Sequence, residues 1–248
     1  MVSYEFWKDW TKKTKLEESA IKSLKLAKKL LFQNISKKEI ISVYVKGSFV
    51  RREMNRKSDV DIIIILVKSK FLKKLKKLDE KYYSKYKPQI QFSGYSLWEL
   101  KYNKRSKTGK KFRAAPSRAV QHLEHYGLIY GKMLRKADFH QGPDKGHLRG
   151  MLYAFKEIFF PKYKEKKFGF SEIVKQVFWL VENEQIWKGK TPPHNWKKLA
   201  KSIRDKNHII HDTLKFRLKP TNDKKERAKF IIKLNILINM KFRQIMNL

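Results

Sequence analysis

The sequence predicts an α+β domain, a sheet with flanking helices, followed by an all-helical bundle. Three observations carry that expectation. Two β-branched runs, Ile40–Val45 and Asp61–Val67, lie close together with a turn-forming Gly47-Ser48 between them. Segments of helical periodicity stand on either side of this pair. Beyond residue 150 the pattern is helical almost to the end, divided by prolines.

Taken in order, Lys15–Phe32 places Ala20, Leu24, Ala27 and Leu31 at helical spacing with lysines between, an amphipathic helix that packs on the sheet. Ile40–Val45 is the first strand and Asp61–Val67 the second. Lys70–Tyr86 is a lysine-rich helix seamed by Leu72, Leu75 and Leu78. Pro88–Phe92 is a short third strand and Gly127–Tyr130 a fourth. Three glycines and a proline in Asp138–Gly150 predict a linker, so the domains are set at 1–136 and 151–248 with 137–150 between them. Four helices are expected after it: Gly150–Phe160, Ser171–Trp187, Trp196–Phe216 and Lys224–Met246. Pro161, Pro192-Pro193 and Pro220 divide them. Ser171 with Glu172, and Thr221-Asn222-Asp223, read as N-terminal capping segments.

Composition sets limits on function. With 248 residues, 41% hydrophobic and 13% aromatic, the chain has enough apolar side chains for a real core and is not a disordered polyelectrolyte. It has no cysteine, hence no disulfide and no thiolate metal site. No stretch approaches the roughly 20 apolar residues that span a bilayer. The opening residues, MVSYEFWKDW, lack an apolar signal segment, and a cytoplasmic protein is expected. The net charge is +37, from 60 Lys+Arg against 23 Asp+Glu. Up to Lys136 there are 35 basic and 12 acidic residues, and beyond it 25 and 11, so both halves are basic. Such a field attracts polyanions and gains from counterion release, which points to nucleic acid. The competing explanation is codon bias, since 48 of the bases are lysine, but bias alone does not make acids scarce.

The most informative stretch is Val43–Leu66, VYVKGSFVRREMNRKSDVDIIIIL. A Gly-Ser turn lets backbone N–H groups and a hydroxyl come close to a phosphate. Asp59 and Asp61, two apart on a strand, point to one face and can share divalent cations. A surface strand–turn–strand carrying two incidental aspartates is the bland alternative, and the apolar run Ile62–Val67 directly after them argues against it.

This spacing of Gly-Ser, ten residues, then Asp-x-Asp resembles the active-site signature of the DNA polymerase β-like nucleotidyltransferase superfamily. It is similar in particular to small nucleotidyltransferases reading Gly-Ser-x-x-Arg-x-Glu then Ser-Asp-x-Asp, here Gly47, Ser48, Arg51, Glu53, Ser58, Asp59 and Asp61. Many relatives have glycine where this chain has Arg52. The phrase His125–Gly131 is similar to the Gly-x-x-Leu-Tyr-Gly ending of such domains. The resemblance covers about residues 15–136. It implies a palm-like mixed sheet and transfer of an NMP from an NTP, ATP being the first choice, with Mg²⁺ as cofactor. It also implies that Gly47, Ser48, Arg51 and Ser58 bind the nucleotide, that Asp59 and Asp61 hold the metal, and that the helical part binds the acceptor.

One departure from the family stands out. Superfamily members usually place a third carboxylate on the next strand, and here that strand carries Gln89 and Gln91 on one face. Gln91 is therefore the expected third catalytic position, although an amide cannot take a proton. Three explanations stay open: Glu99 folds back as base, the enzyme runs on two carboxylates, or the domain binds nucleotide or RNA without catalysis.

Other segments add partners. Lys101–Arg118 holds eight basic residues interleaved with Tyr102 and Phe112, and Lys104, Arg105, Lys110, Lys111 and Arg113 are its candidate nucleic-acid contacts. Arg204 seven residues before His211 resembles the Arg…His pair of HEPN-type ribonucleases, against the commoner role of histidine as a cap. His122 and His125, with Glu124, share a short segment, and packing is the preferred reading. RNA is the expected acceptor. A small-molecule or protein acceptor, or an inactive RNA-binding module, are the alternatives.

Overall fold

The computed structural model describes residues 3–107 and 115–246, and it divides into two compact units, Met1–Gly142 and Pro143–Leu248. No helix among the described residues is long and apolar enough to cross a membrane.

The first unit is built on a mixed four-stranded sheet. Its strands are β1 (Ile40–Lys46), β2 (Val60–Leu66), β3 (Ile90–Ser96) and β4 (Gly127–Gly131), in the order β3-β2-β1-β4. β1 is antiparallel to both β2 and β4, while β2 and β3 run parallel. A parallel pair needs a crossover, and the chain supplies one in α2 (Leu72–Tyr82). Leu72, Leu75 and Leu78 are the buried seam of α2, as their spacing predicts. Asp79 then fixes this helix to the sheet by accepting the Phe92 amide at 2.7 Å.

Helix α1 (Lys15–Asn34) opens with a capping box. Thr14 Oγ1 accepts the Glu17 amide, and the Glu17 carboxylate accepts the Thr14 amide at 2.8 Å. Such a cap contributes about 1 kcal/mol. Ala20, Leu24, Ala27 and Leu31 of α1 are all at most 1% exposed and join Val43, Val45, Ile62 and Ile64 in the core of one sheet face. Each fully buried leucine or isoleucine there contributes roughly 1.5–3 kcal/mol. The opposite face buries Tyr44, Ile63, Ile65 and Tyr95 together with Leu100 and Val120. Leu100 and Val120 belong to two short helices that hydrophobic periodicity did not announce, α3 (Leu97–Tyr102) and α4 (Pro116–Gln121). Six residues are too few for a seam to be legible. β3 also runs on to Ser96, past the expected end at Phe92, because Ser93 to Ser96 keep pairing with β2.

The second unit is helical. α5 (Asp144–Ala154) begins inside the stretch read as a linker, with Pro143 before it and Asp144 in the first turn, where a negative charge suits the helix dipole. It continues through a π segment, Phe155–Phe159, into α6 (Phe160–Lys164). Pro161 therefore does not end the helix where expected. The wider π turn absorbs the missing N–H. α7 (Phe170–Trp187) starts one residue before Ser171, with Gly169 at the cap and no side-chain cap, so the Ser171 cap expected from sequence does not form.

The single helix expected over Trp196–Phe216 is two: α8 (Trp196–Ser202) and α9 (Ile209–Leu218). The break has a polar cause. Asp205 Oδ1 accepts the Asn207 amide at 2.9 Å and His208 accepts the Ile210 amide at 3.2 Å, so side chains take over backbone bonding between the two helices. α10 (Lys224–Met246) begins where Asp223 accepts the Lys225 amide at 2.7 Å, within the capping segment expected from sequence. Phe178 stacked on Trp196 at 4.6 Å, and Phe170, Phe216 and Phe230 in a mutual edge-to-face triangle at 5.3–5.5 Å, form the centre of this core.

Candidate active site

β1 leaves the sheet at Lys46, and the chain turns at Gly47 with φ +83°. A Cβ placed on Gly47 would stand 2.6 Å from Asp61 Oδ2. Both facts demand glycine: only it adopts this conformation without cost, and only it lets the turn come so near the carboxylate. The turn is rigid. Arg51 N–H donates to Gly47 O at 3.3 Å, Arg52 N–H to Phe49 O at 3.0 Å and Glu53 N–H to Ser48 O at 2.8 Å. Phe49 is fully buried against Phe6, Trp7 and Trp10, with ring centroids 5.1–6.0 Å away.

Two ion pairs brace the turn. Arg51 Nε donates to Glu53 Oε2 at 2.8 Å, and both side chains are largely buried. Arg52 adopts φ +56°, a left-handed conformation that explains why glycine suits this position. Here the arginine is held from outside. Its Nε donates to Glu17 Oε1 at 3.0 Å, its Nη2 to the Lys12 carbonyl, and its guanidinium lies 4.7 Å from the Trp10 ring centroid. Burial pushes the Glu17 carboxyl up, but the Arg52 hydrogen bond and the Thr14 amide outweigh it and hold Glu17 below its ordinary value.

The carboxylates sit beside this turn. Asp61 is paired across the antiparallel ladder with Lys46 and across the parallel one with Gln91. Lys46 Nζ lies 4.0 Å from Asp61 Oδ1. Asp61 and Gln91 are partly exposed, whereas their neighbours Ile62 and Phe92 are buried on the helix-covered face. Asp59 stands one residue before β2, also partly exposed. Ser58, just ahead of it, accepts the Asn55 amide through its hydroxyl at 2.9 Å, an exposed bond within the loop.

Tyr83 was not anticipated. Burial raises its phenol above the ordinary tyrosine value, and the charges of Asp59, Asp79 and Asp61 raise it further. Both candidate carboxylates therefore act on this one phenol. Nothing in a lysine-rich helix ending KYYSKY distinguishes the second tyrosine from its neighbours.

The remaining candidates fall elsewhere. Glu99, the residue offered as a base that folds back, is instead fully buried and completes a capping box with Ser96. Its carboxylate accepts the Ser96 amide at 2.9 Å and the Ser106 amide at 2.7 Å. Lys104 and Arg105 are exposed, while Lys110, Lys111 and Arg113 lie outside the described residues. The His122 and His125 rings are 6.4 Å apart, with His122 buried. In the helical unit the His211 ring bonds the Asp205 carbonyl at 3.0 Å through Nε2.

Comparison with known proteins agrees with this geometry. Residues 25–115 match the family described as nucleotidyltransferase domain. No curated protein matches the sequence. The fold is similar to the crystal structure of spectinomycin adenyltransferase AAD(9) from Enterococcus faecialis with ATP and spectinomycin, at 14% identity and a TM-score of 0.54. That likeness covers 88% of this chain and 99% of the other. At such identity it speaks for the fold. This chain carries a nucleotidyltransferase domain at residues 25–115, a stretch that includes the Gly-Ser turn, Asp59 and Asp61.

Proposed function

We propose that this nucleotidyltransferase moves a nucleoside monophosphate from an NTP, ATP in the first instance, to a hydroxyl of an RNA acceptor and releases pyrophosphate. The observation that carries the reading is the approach of Gly47 to Asp61, which sets a backbone turn fit for phosphate against a carboxylate fit for a metal.

The donor set suits a hard divalent cation. Asp59 and Asp61 offer carboxylate oxygens, and Gln91 adds an amide oxygen at the register position beside Asp61. When bound there, magnesium neutralises phosphate charge and polarises the attacking hydroxyl. Gly47 and Ser48 hold the triphosphate, and Arg51 keeps their turn in shape through Glu53. The acceptor oxygen bonds to the α-phosphorus as the α–β bridging bond breaks, and the electron pair leaves with pyrophosphate. Gln91 can orient the acceptor but cannot take its proton, which passes to solvent.

RNA as acceptor is supported by the +37 charge spread over both halves of the chain. A small-molecule acceptor is the second reading, favoured by the fold likeness to an antibiotic adenyltransferase over 88% of the chain.

Incubation with α-labelled NTPs, Mg²⁺ and total RNA tests the proposal. Label should enter RNA, and Asp59→Asn or Asp61→Asn should each remove it at least a hundredfold with the melting temperature unchanged. Label found only in small acceptors supports the second reading. Full activity of either variant, or no NTP consumption under any condition, overturns the proposal.

A further inference from the structure

The helical unit carries an open cleft of about 860 Å³, within the roughly 300–1,000 Å³ of small-molecule sites. Its walls come from the end of α7, the turn between α8 and α9, and α10. The polar wall is cationic: Lys188, Lys190, Arg204, Lys233 and Lys241 stand against only Glu184 and Asp205. Lys188 and Lys241 both donate to the same oxygen, Glu184 Oε1, at 2.6 Å each. One carboxylate thus holds two ammonium groups side by side and can neutralise only one of them. Lys233 is engaged by Asp212 at 2.6 Å, while Lys190 and Arg204 are exposed.

Glu184 is 2% exposed, and its second oxygen, Oε2, accepts no hydrogen bond among the described residues. The rest of the lining includes apolar α10 side chains, of which Ile236 and Met240 are 64% and 57% exposed. Surplus cations beside an exposed apolar face describe a ligand with an anionic group and an apolar body.

We propose that this cavity binds a nucleotide unit, its phosphate at the lysines and its base on the Ile236–Met240 face. The inference rests on the acceptor reading above for one of its two sources, the end of an RNA chain; the other source is a free nucleoside monophosphate. A cationic acceptor is repelled here.

The test uses the full chain in EDTA, so that metal-dependent binding is suppressed, with AMP, a 5′-phosphorylated RNA trinucleotide and inorganic phosphate as probes. Lys190→Gln with Arg204→Gln, and separately Met240→Asp, should each weaken AMP and RNA binding about tenfold or more. All three positions are exposed, so the melting temperature should stay unchanged. Binding of the trinucleotide without AMP assigns the site to RNA, and comparable binding of both assigns it to either source. The proposal is overturned if inorganic phosphate binds as tightly as AMP and Met240→Asp has no effect, or if neither variant changes binding. Transfer assays separate this from the proposed function. Transfer to RNA with an unchanged KM in the Lys190→Gln, Arg204→Gln protein, together with unchanged AMP binding, refutes the cavity alone. AMP held in the cavity with no RNA ever labelled refutes the RNA acceptor alone.

Discussion

Asp61 and Gln91 stand opposite each other as register partners in the parallel pair of β2 and β3. A carboxylate introduced at position 91 would therefore lie beside Asp61, where a like charge raises its basicity and a proton acceptor is absent. Gln91→Asp should raise the transfer rate at neutral pH by up to the roughly 10²–10⁴-fold of general-base help. Wild-type transfer should in turn climb with pH, and the variant should flatten that climb. Rate profiles of both proteins between pH 6 and 9 check this. A neutral substitution with an unchanged profile sinks the assignment of Gln91 to the third position.

Gly47→Ala should be damaging on two counts. The left-handed backbone costs a non-glycine residue about 1–2 kcal/mol, and the new methyl would meet the Asp61 carboxylate. Activity should fall about a hundredfold, more than a stability loss of that size explains. Steady-state kinetics beside a thermal melt separate the two effects. Wild-type kinetics from the alanine protein would remove Gly47 from the site.

The clamp on Arg52 has its own signature. Arg52→Ala keeps the unfavourable conformation and strips Glu17 of its partner, whereas Arg52→Gly relaxes the backbone while losing the same ion pair. Both should melt below wild type, the alanine protein lower than the glycine one by about 2–4 °C. Equal melting temperatures would mean that the turn carries no conformational cost.

Glu184 predicts a pH dependence for the helical unit. Burial pushes its carboxyl up, but the Lys188 and Lys241 hydrogen bonds outweigh burial and hold it below its ordinary 4.5. A carboxylate depressed on folding contributes stability that is complete above its unfolded value. That contribution is lost as pH falls through the folded one. Urea melts from pH 7 to 3 should therefore lose stability below about pH 4.5, one such group contributing at most about 1.4 kcal/mol per pH unit. Glu184→Gln should be less stable at pH 7 and flatter in acid. Parallel curves for the two proteins would contradict the assignment.

What the sequence determined by itself is local. The spacing of Leu72, Leu75 and Leu78 set the seam of α2, the β-branched runs set β1 and β2, and the distance from Gly47-Ser48 to Asp59 and Asp61 announced the chemistry. Each of these is a relation between near neighbours, expressed through helical or strand periodicity. Only the tertiary structure decided the rest. Glu99 became a buried cap and Tyr83 a neighbour of the carboxylates. The Glu184 carboxylate drew in Lys241 from a helix 57 positions away. Arg52 took a glycine's conformation because Glu17 and Trp10, from distant parts of the chain, hold its guanidinium. Charge pairing and capping act through space, and a buried carboxylate takes whichever donors the fold brings to it.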